Sequence, residues 1–464
     1  MGGLRAEDFF ADPRLAQARE LLRGALADHQ GGLAGVRPPR PELEAPYAEL
    51  LGRFEALRGG PLFYPYLASG IGRGPLVELA DGSVKFDFIS GIGVHFFGHS
   101  HPALLEAGLE AALAGTVMQG NLQQDARAAS FLQTLVETAN RRGASLDHGF
   151  LTTSGAMANE NALKLVFHKR SPAGRLLAFE RCFAGRTLAL AQVTDQPAYR
   201  AGLPAALRVD YVPFFDAQRP RESAEEALSA LRRHLARHPG QHAAMIFELV
   251  QGEGGFYPGE GGFFAALMEE VKEAGAAVLI DEIQTFGRTT QPFAFQHFGL
   301  DAYPDVVTVG KLTQVCATLF RGEYKPPPGL VSQTFTGSTS AIRAARAILG
   351  LLLEGDYFGP EGRIARLGAH CERRLREIEA RHPGWICGPY GVGAMVAFTV
   401  FDGDLEETKR FLRALFEAGV IGFYAGDGPA RVRFLIPAGA LSPGEVDAAM
   451  EILEATLSEF ARSR

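Results

Sequence analysis

The sequence predicts an α/β protein, with a large, mostly parallel α/β/α sheet domain and a smaller α+β domain after it. Three observations lead there. Between residues 103 and 310 short apolar runs alternate with helical stretches, the pattern of a parallel sheet with helices on both faces. One run, Ala276-Ala-Val-Leu-Ile280, is apolar throughout and stops abruptly on Asp281 and Glu282. Such a run reads as a strand buried on both faces, whose C-terminal end lies where α/β sheets bind ligands. Beyond residue 340 the rhythm changes to long helices with isolated strands.

The chain of 464 residues has room for two domains, and 47% hydrophobic with 21% charged residues is ordinary globular composition. A net charge of −7 offers no basic footprint for nucleic acid. The start, Met-Gly-Gly-Leu-Arg, lacks the pattern of a signal peptide, and no apolar run reaches membrane-spanning length. A cytoplasmic location is expected. The four cysteines form no CxxC pair and are expected to be free, buried thiols.

Taken in order, residues 1 to about 60 read as amphipathic helices broken at Gly31-Gly32 and Pro38-Pro39. Alternation around Asp81-Gly82 predicts a hairpin. His95, His99 and His101 follow in a glycine-rich stretch whose spacing fits no zinc pattern, so no metal is expected. Strands are expected at Gly149–Thr153, Arg175–Phe179, Ala243–Phe247, Ala276–Ile280 and Asp305–Val309. After these come helices at Ala341–Leu353 and Gly359–Ile378, strands near Gly393–Val400 and Ala430–Leu435, and a final helix from Pro443. The expected division is an N-terminal segment over 1–90 that partly joins the small domain, a large domain over 91–340, and a small domain over 341–464.

Five stretches carry chemistry. In Thr152-Thr-Ser-Gly-Ala-Met-Ala-Asn-Glu160 a strand gives way to a helix at Ser154, Gly155 and Ala156. The exposed amides there are either an ordinary N-cap or a phosphate site. Phe183 with Gly185-Arg-Thr187 offers a ring for stacking and, in Arg186, a cation for a carboxylate, or else a core ring and a surface charge. Phe247-Glu-Leu-Val-Gln-Gly-Glu-Gly-Gly255 runs a strand into a glycine-rich turn with acids. Asp281 is costly at a buried strand end unless a cation meets it. Lys311 ends another apolar strand among small residues, where desolvation lowers an amine's pKa and suits it to a Schiff base. Phosphate-binding amides, a stacking ring, a strand-end Asp and a desolvated Lys together fit pyridoxal 5′-phosphate, with Asp281 paired to the protonated ring nitrogen.

From about residue 62 onward these motifs, in this order, resemble the class III pyridoxal-phosphate aminotransferases: Ser-Gly-Ala-x-Ala-Asn-Glu, Gly-Arg-Thr, Gln-Gly-Glu-Gly-Gly, Asp-Glu-x-Gln and the lysine. The resemblance implies fold type I and a homodimer with its active site at the interface. It implies that Lys311 is the Schiff-base lysine and proton shuttle, and that Asp281 faces the pyridine nitrogen. Ile283 and Phe183 would enclose the ring, Gln284 would reach its hydroxyl, and Ser154, Gly155 and Ala156 would hold the phosphate. Thr339, in Thr336-Gly-Ser-Thr339, resembles the threonine that reaches the phosphate from the partner subunit. The Thr-Gln-Val-Cys316 that follows Lys311 and Leu312 is similar to the lysine 6-aminotransferase branch. There Arg186 would grip the distal carboxylate of the substrate, and Glu253 and Arg433 would act as a switch pair. The implied reaction moves the terminal amine of an ω-amino acid, L-lysine first, to 2-oxoglutarate. Ornithine, acetylornithine or 4-aminobutyrate transaminases and an aminomutase are the alternatives. Ala184 stands where the family usually has His or Trp, Met157 where an acid is common, and Ser-Ala-Ile after Thr339 where Gly-Gly-Asn is usual.

Overall fold

A computed structural model describes residues 3–464. Its centre is a seven-stranded sheet made of β1 (His148–Thr152), β2 (Arg175–Phe179), β3 (Arg208–Val212), β4 (His242–Phe247), β5 (Ala277–Glu282), β6 (Val306–Val309) and β7 (Cys316–Phe320). The spatial order is β1-β7-β6-β5-β4-β2-β3. The pairs β2–β3, β2–β4, β4–β5 and β5–β6 are parallel, and only β7 runs against its two neighbours. All five expected strands are present. β3 and β7 were not among them. β7 follows β6 after a short turn with no helix between, so it lacks the punctuation that marks a new strand. β3, Arg-Val-Asp-Tyr-Val, is an edge strand with one exposed and three half-buried positions, and it does not read as an apolar run.

Strands β4, β5, β6 and β7 are buried along their whole lengths. Helices Gly155–Lys169, Ala126–Asn140, Pro220–Arg237 and Gly261–Glu273 pack against the sheet and shield it. Helix Gly155–Lys169 contacts β1, β4, β5, β6 and β7, so its N-terminus is fixed relative to the strand ends.

Two further four-stranded sheets involve the C-terminal segment. The expected hairpin at Asp81-Gly82 pairs Leu76–Leu79 with Val84–Asp87. Val420–Ile421 adds to it in parallel. The other sheet is antiparallel and ordered Ile386–Val392, Met395–Val400, Arg431–Leu435, Phe423–Ala425. Helix Leu405–Ala418, capped by Asp404 at one end and by Gly419 at φ 112° at the other, lies between strands where no helix was expected. The expected terminal helix spans Pro443–Ser463.

The N-terminal helices Arg5–Phe10, Pro13–Gln30 and Pro41–Arg58 form as expected, yet none buries a residue. Leu21, Leu22, Leu50, Phe54 and Leu57 are exposed. Leu15 in the second helix and Leu43, Tyr47 and Leu51 in the third are half-buried, the last three spaced four apart on one face. Of the free cysteines, Cys182, Cys316 and Cys371 are buried as expected, but Cys387 is exposed beside the Tyr390 hydroxyl. No described helix is long and apolar enough to cross a membrane.

Candidate active site

The C-terminal ends of β4, β5 and β6 and the N-terminus of helix Gly155–Lys169 enclose a cavity of about 340 Å³. β5 runs two residues past its expected end, so Asp281 and Glu282 are still in register, opposite Thr308 and Val309. Asp281 faces the cavity and is 7% exposed. Its Oδ1 accepts from the Ile283 amide at 2.9 Å, and its Oδ2 accepts from Asn159 Nδ2 at 2.7 Å. Burial pushes its pKa up, against the pull of those donors and of Lys311.

Asn159 is oriented in turn. Thr308 Oγ1 donates to Asn159 Oδ1 at 2.8 Å, which leaves the Nδ2 group for Asp281 and for the Ala184 carbonyl, also at 2.8 Å. Sequence reasoning did not single out Asn159. The signal was there: it lies four residues after Gly155 and therefore on the same face of the helix.

Lys311 lines the cavity just after β6. Its φ of 49° puts a non-glycine residue in the left-handed region, a strained conformation of the kind found at functional sites. Burial lowers its pKa, as expected from its apolar neighbours, while Asp281 and Glu253 pull it back up. Glu248, the residue after β4, was also missed as a site residue. Its Oε2 accepts from the Phe183 amide at 2.8 Å and its Oε1 from the Gly252 amide at 3.1 Å. Burial, then repulsion from Asp281, pushes its carboxyl up to about 8. Glu282 points elsewhere: it accepts from Thr285 Oγ1 and from the Phe295 amide, and serves local structure.

Most of the residues nominated from sequence meet here. Gly155, Ala156, Phe183, Ile283, Gln284 and Glu253 line the same cavity. Ile283 lies against Gly155, where a Cβ would come within 2.8 Å of Ile283 Cγ2. Gln284 Oε1 is buried without a partner among the described residues. Arg186 lies on the exposed rim, its guanidinium 4.1 Å from the Tyr199 ring centre. Arg433 is fully buried behind the wall, with Nη2 2.7 Å from Glu253 Oε1 and Nη1 3.2 Å from the Gly252 carbonyl.

Besides Arg433, two nominees do not line it. Ser154 acts as the N-cap, its Oγ accepting from the Met157 amide at 3.2 Å. Thr339 sits apart, its hydroxyl accepting from the Val117 amide at 2.9 Å. The three histidines are elsewhere as well. His99 meets Asp87 at 2.9 Å with the His95 ring 4.5 Å from it, and His101 caps helix Pro102–Leu113.

These residues fit pyridoxal phosphate. The cavity holds a buried carboxylate for a ring cation and an orphaned Gln284 oxygen for a polar ring substituent. It also holds an amine of lowered pKa and the first turn of a 15-residue helix, whose amides have no intrahelical acceptors.

Comparison with known proteins agrees. The Aminotransferase class-III family model matches residues 65–457. The acetylornithine aminotransferase of Bacillus subtilis is 32% identical over 377 residues, covering 79% of this chain and 88% of that protein. The [LysW]-aminoadipate semialdehyde transaminase of Deinococcus radiodurans is 30% identical over 398 residues, covering 83% and 85%. Among solved structures, the lysine aminotransferase from M. tuberculosis in its internal aldimine form superposes with a TM-score of 0.78 at 27% identity, covering 89% of this chain and 98% of that one.

Proposed function

The chain belongs to the class III aminotransferases, and we propose that within this family it moves the terminal amine of an ω-amino acid, L-lysine first, to 2-oxoglutarate, yielding a semialdehyde and glutamate. The family fold is type I and pyridoxal-phosphate dependent. When bound, the cofactor supplies an aldehyde that captures the amine and a ring that takes up electrons.

The observation that carries the proposal is the Arg433–Glu253 pair at 2.7 Å beside the cavity. A terminal-amine donor presents a neutral chain end near the reacting carbon, whereas 2-oxoglutarate presents a carboxylate there. With the donor, Glu253 neutralises Arg433. With the oxo acid the pair opens, and Arg433 takes the α-carboxylate. Arg186, at the rim, grips the carboxylate at the far end of either substrate. In this reading Lys311 Nζ takes the proton from the substrate carbon that bears the amine and later returns it. Asp281, held by Asn159, would keep the ring nitrogen charged. Phe183 and Ile283 would enclose the ring, Gln284 would meet its hydroxyl, and Ser154, Gly155 and Ala156 would form the phosphate turn. Thr339 would reach the phosphate of a partner subunit in a homodimer.

Lysine is favoured as donor by the Thr-Gln-Val-Cys that ends at Cys316 and by the likeness to the M. tuberculosis lysine aminotransferase. Acetylornithine or ornithine is the second reading, favoured by the B. subtilis relative. The test is a panel of L-lysine, L-ornithine, N-acetylornithine and 4-aminobutyrate with 2-oxoglutarate, read as glutamate formed. Glutamate from lysine above the others supports the first reading. None from lysine but turnover with ornithine or its acetyl derivative supports the second. Conversion of the amino acid without any oxo acid marks an aminomutase.

A further inference from the structure

Strand Arg431–Leu435 places two buried arginines on one face, since residues two apart point the same way. Arg433 has its carboxylate. Arg431 has none among the described residues, although it is only 4% exposed. Its guanidinium carbon instead lies between two aromatic rings, 3.5 Å from the centre of Tyr390 and 3.9 Å from that of Tyr257. Its Nη1 donates to the Gly255 carbonyl at 2.6 Å. Burying an unpaired cation is costly, and two ring faces and a carbonyl offset that cost in the absence of an acid. So specific a nest holds Arg431 in one orientation.

What it holds is the far end of the turn that carries Glu253. The near end is tied by the Gly252 amide to Glu248 at 3.1 Å and by the Gly252 carbonyl to Arg433 at 3.2 Å. The Glu253 carbonyl accepts from the Gly426 amide at 2.7 Å. The backbone is therefore fixed before, at and after Glu253. Among the described residues the Glu253 carboxylate has one partner, Arg433, and its side chain is 28% exposed.

We propose that Arg431 is a positioning residue that pins the Gly252–Gly255 turn, so that Arg433 is masked and unmasked by rotation of the Glu253 side chain on a stationary backbone. The inference rests on the reading that Glu253 and Arg433 exchange. Without the pin the turn drifts and Glu253 no longer sits opposite Arg433. Arg433 is then left charged when a terminal amine enters, while its access to an oxo-acid carboxylate is unchanged. Arg431 thus sets the preference for terminal amines over α-amino acids without touching either substrate.

The experiment measures single-turnover rates of the holoenzyme with L-lysine (or the donor that the panel selects) and with L-glutamate. The variants are Arg431→Met, Tyr390→Leu, Tyr390→Phe and Glu253→Ala, each with its Tm. For Arg431→Met the ratio of kcat/KM for lysine over glutamate is expected to fall about tenfold, the loss of one charge-assisted hydrogen bond. Tyr390→Leu should lower it in the same direction, and Tyr390→Phe, which keeps the ring, should restore it. Equal losses in both half-reactions, or an unchanged ratio in a folded Arg431→Met, overturn the proposal. If Arg431→Met does not fold, Tyr390→Leu decides by the same ratio. Glu253→Ala separates the two levels. If it leaves the ratio unchanged, the exchange itself fails. If it lowers the ratio while Arg431→Met and Tyr390→Leu do not, only the pinning fails.

Discussion

Asn159 Nδ2 donates to Asp281 Oδ2 across 2.7 Å, joining the first turns of a helix to a strand end 122 residues later. This bond favours the charged form of a buried carboxylate, opposing the burial that pushes its pKa up. Asn159→Ala should therefore weaken cofactor binding about 10- to 100-fold, the range for a hydrogen bond to a charged group. Asn159→Asp should weaken it further by setting a second acid beside the first. Titration of apo-protein with pyridoxal phosphate checks both.

Among the described residues, Lys311 is the only one that brings an amine to the cavity lining. Lys311→Ala should abolish covalent attachment, so that borohydride fixes cofactor in the native protein but not in the variant. Turnover should fall by about 10²- to 10⁴-fold or more, the contribution of a positioned general base. Retention of a borohydride-reducible linkage would remove Lys311 from its role.

The two arginines should separate in kinetics. Arg433→Met should raise KM for 2-oxoglutarate about 10- to 100-fold with little effect on the donor half-reaction. Arg186→Met, at the distal end of both substrates, should raise KM for both. Its guanidinium also stacks on Tyr199, so Arg186→Lys should not restore the native values.

Glu282 is fully buried, and its carboxyl is pushed from 4.5 up to about 7, chiefly by burial. The unfolded chain releases this proton near 4.5, while the folded chain keeps it until about 7. Its contribution to stability is thus full below pH 4.5 and is lost as pH rises towards 7. Glu282→Gln cannot ionise. The stability of the variant should gain on that of the native protein between these values, by at most about 1.4 kcal/mol per pH unit, and run parallel to it above them, with Tm moving in the same direction. Thermal melts from pH 4 to pH 9 test this; a constant offset would contradict it.

Much of the site was legible because its signals are local. An apolar run that halts on Asp281, a lysine among small residues, and a Ser-Gly turn opening a helix each declare themselves within about ten residues. Glu248 and Asn159 lay inside quoted motifs yet stayed silent. Neither Asn nor Glu at a strand or helix end is informative until its partner is known, and those partners are Asp281, Thr308 and the amides of Phe183 and Gly252. β3 and β7 escaped because an edge strand shows no buried run and a strand after a short turn shows no boundary.

The sequence by itself determined the strand that ends on Asp281, the lysine after β6, the helix start at Gly155 and the order that marks the family, because burial periodicity and turn chemistry are written in neighbouring residues. The tertiary structure alone decided the geometry in which distant groups meet, including pairs that the resemblance only implied. It set Glu253 against Arg433 across 180 residues. It placed Arg431 between Tyr257 and Tyr390, and it left Thr339 outside the cavity of its own chain. Those meetings depend on how separate sheets pack, and the energy of a buried charge depends on what stands opposite it rather than on what precedes it in the chain.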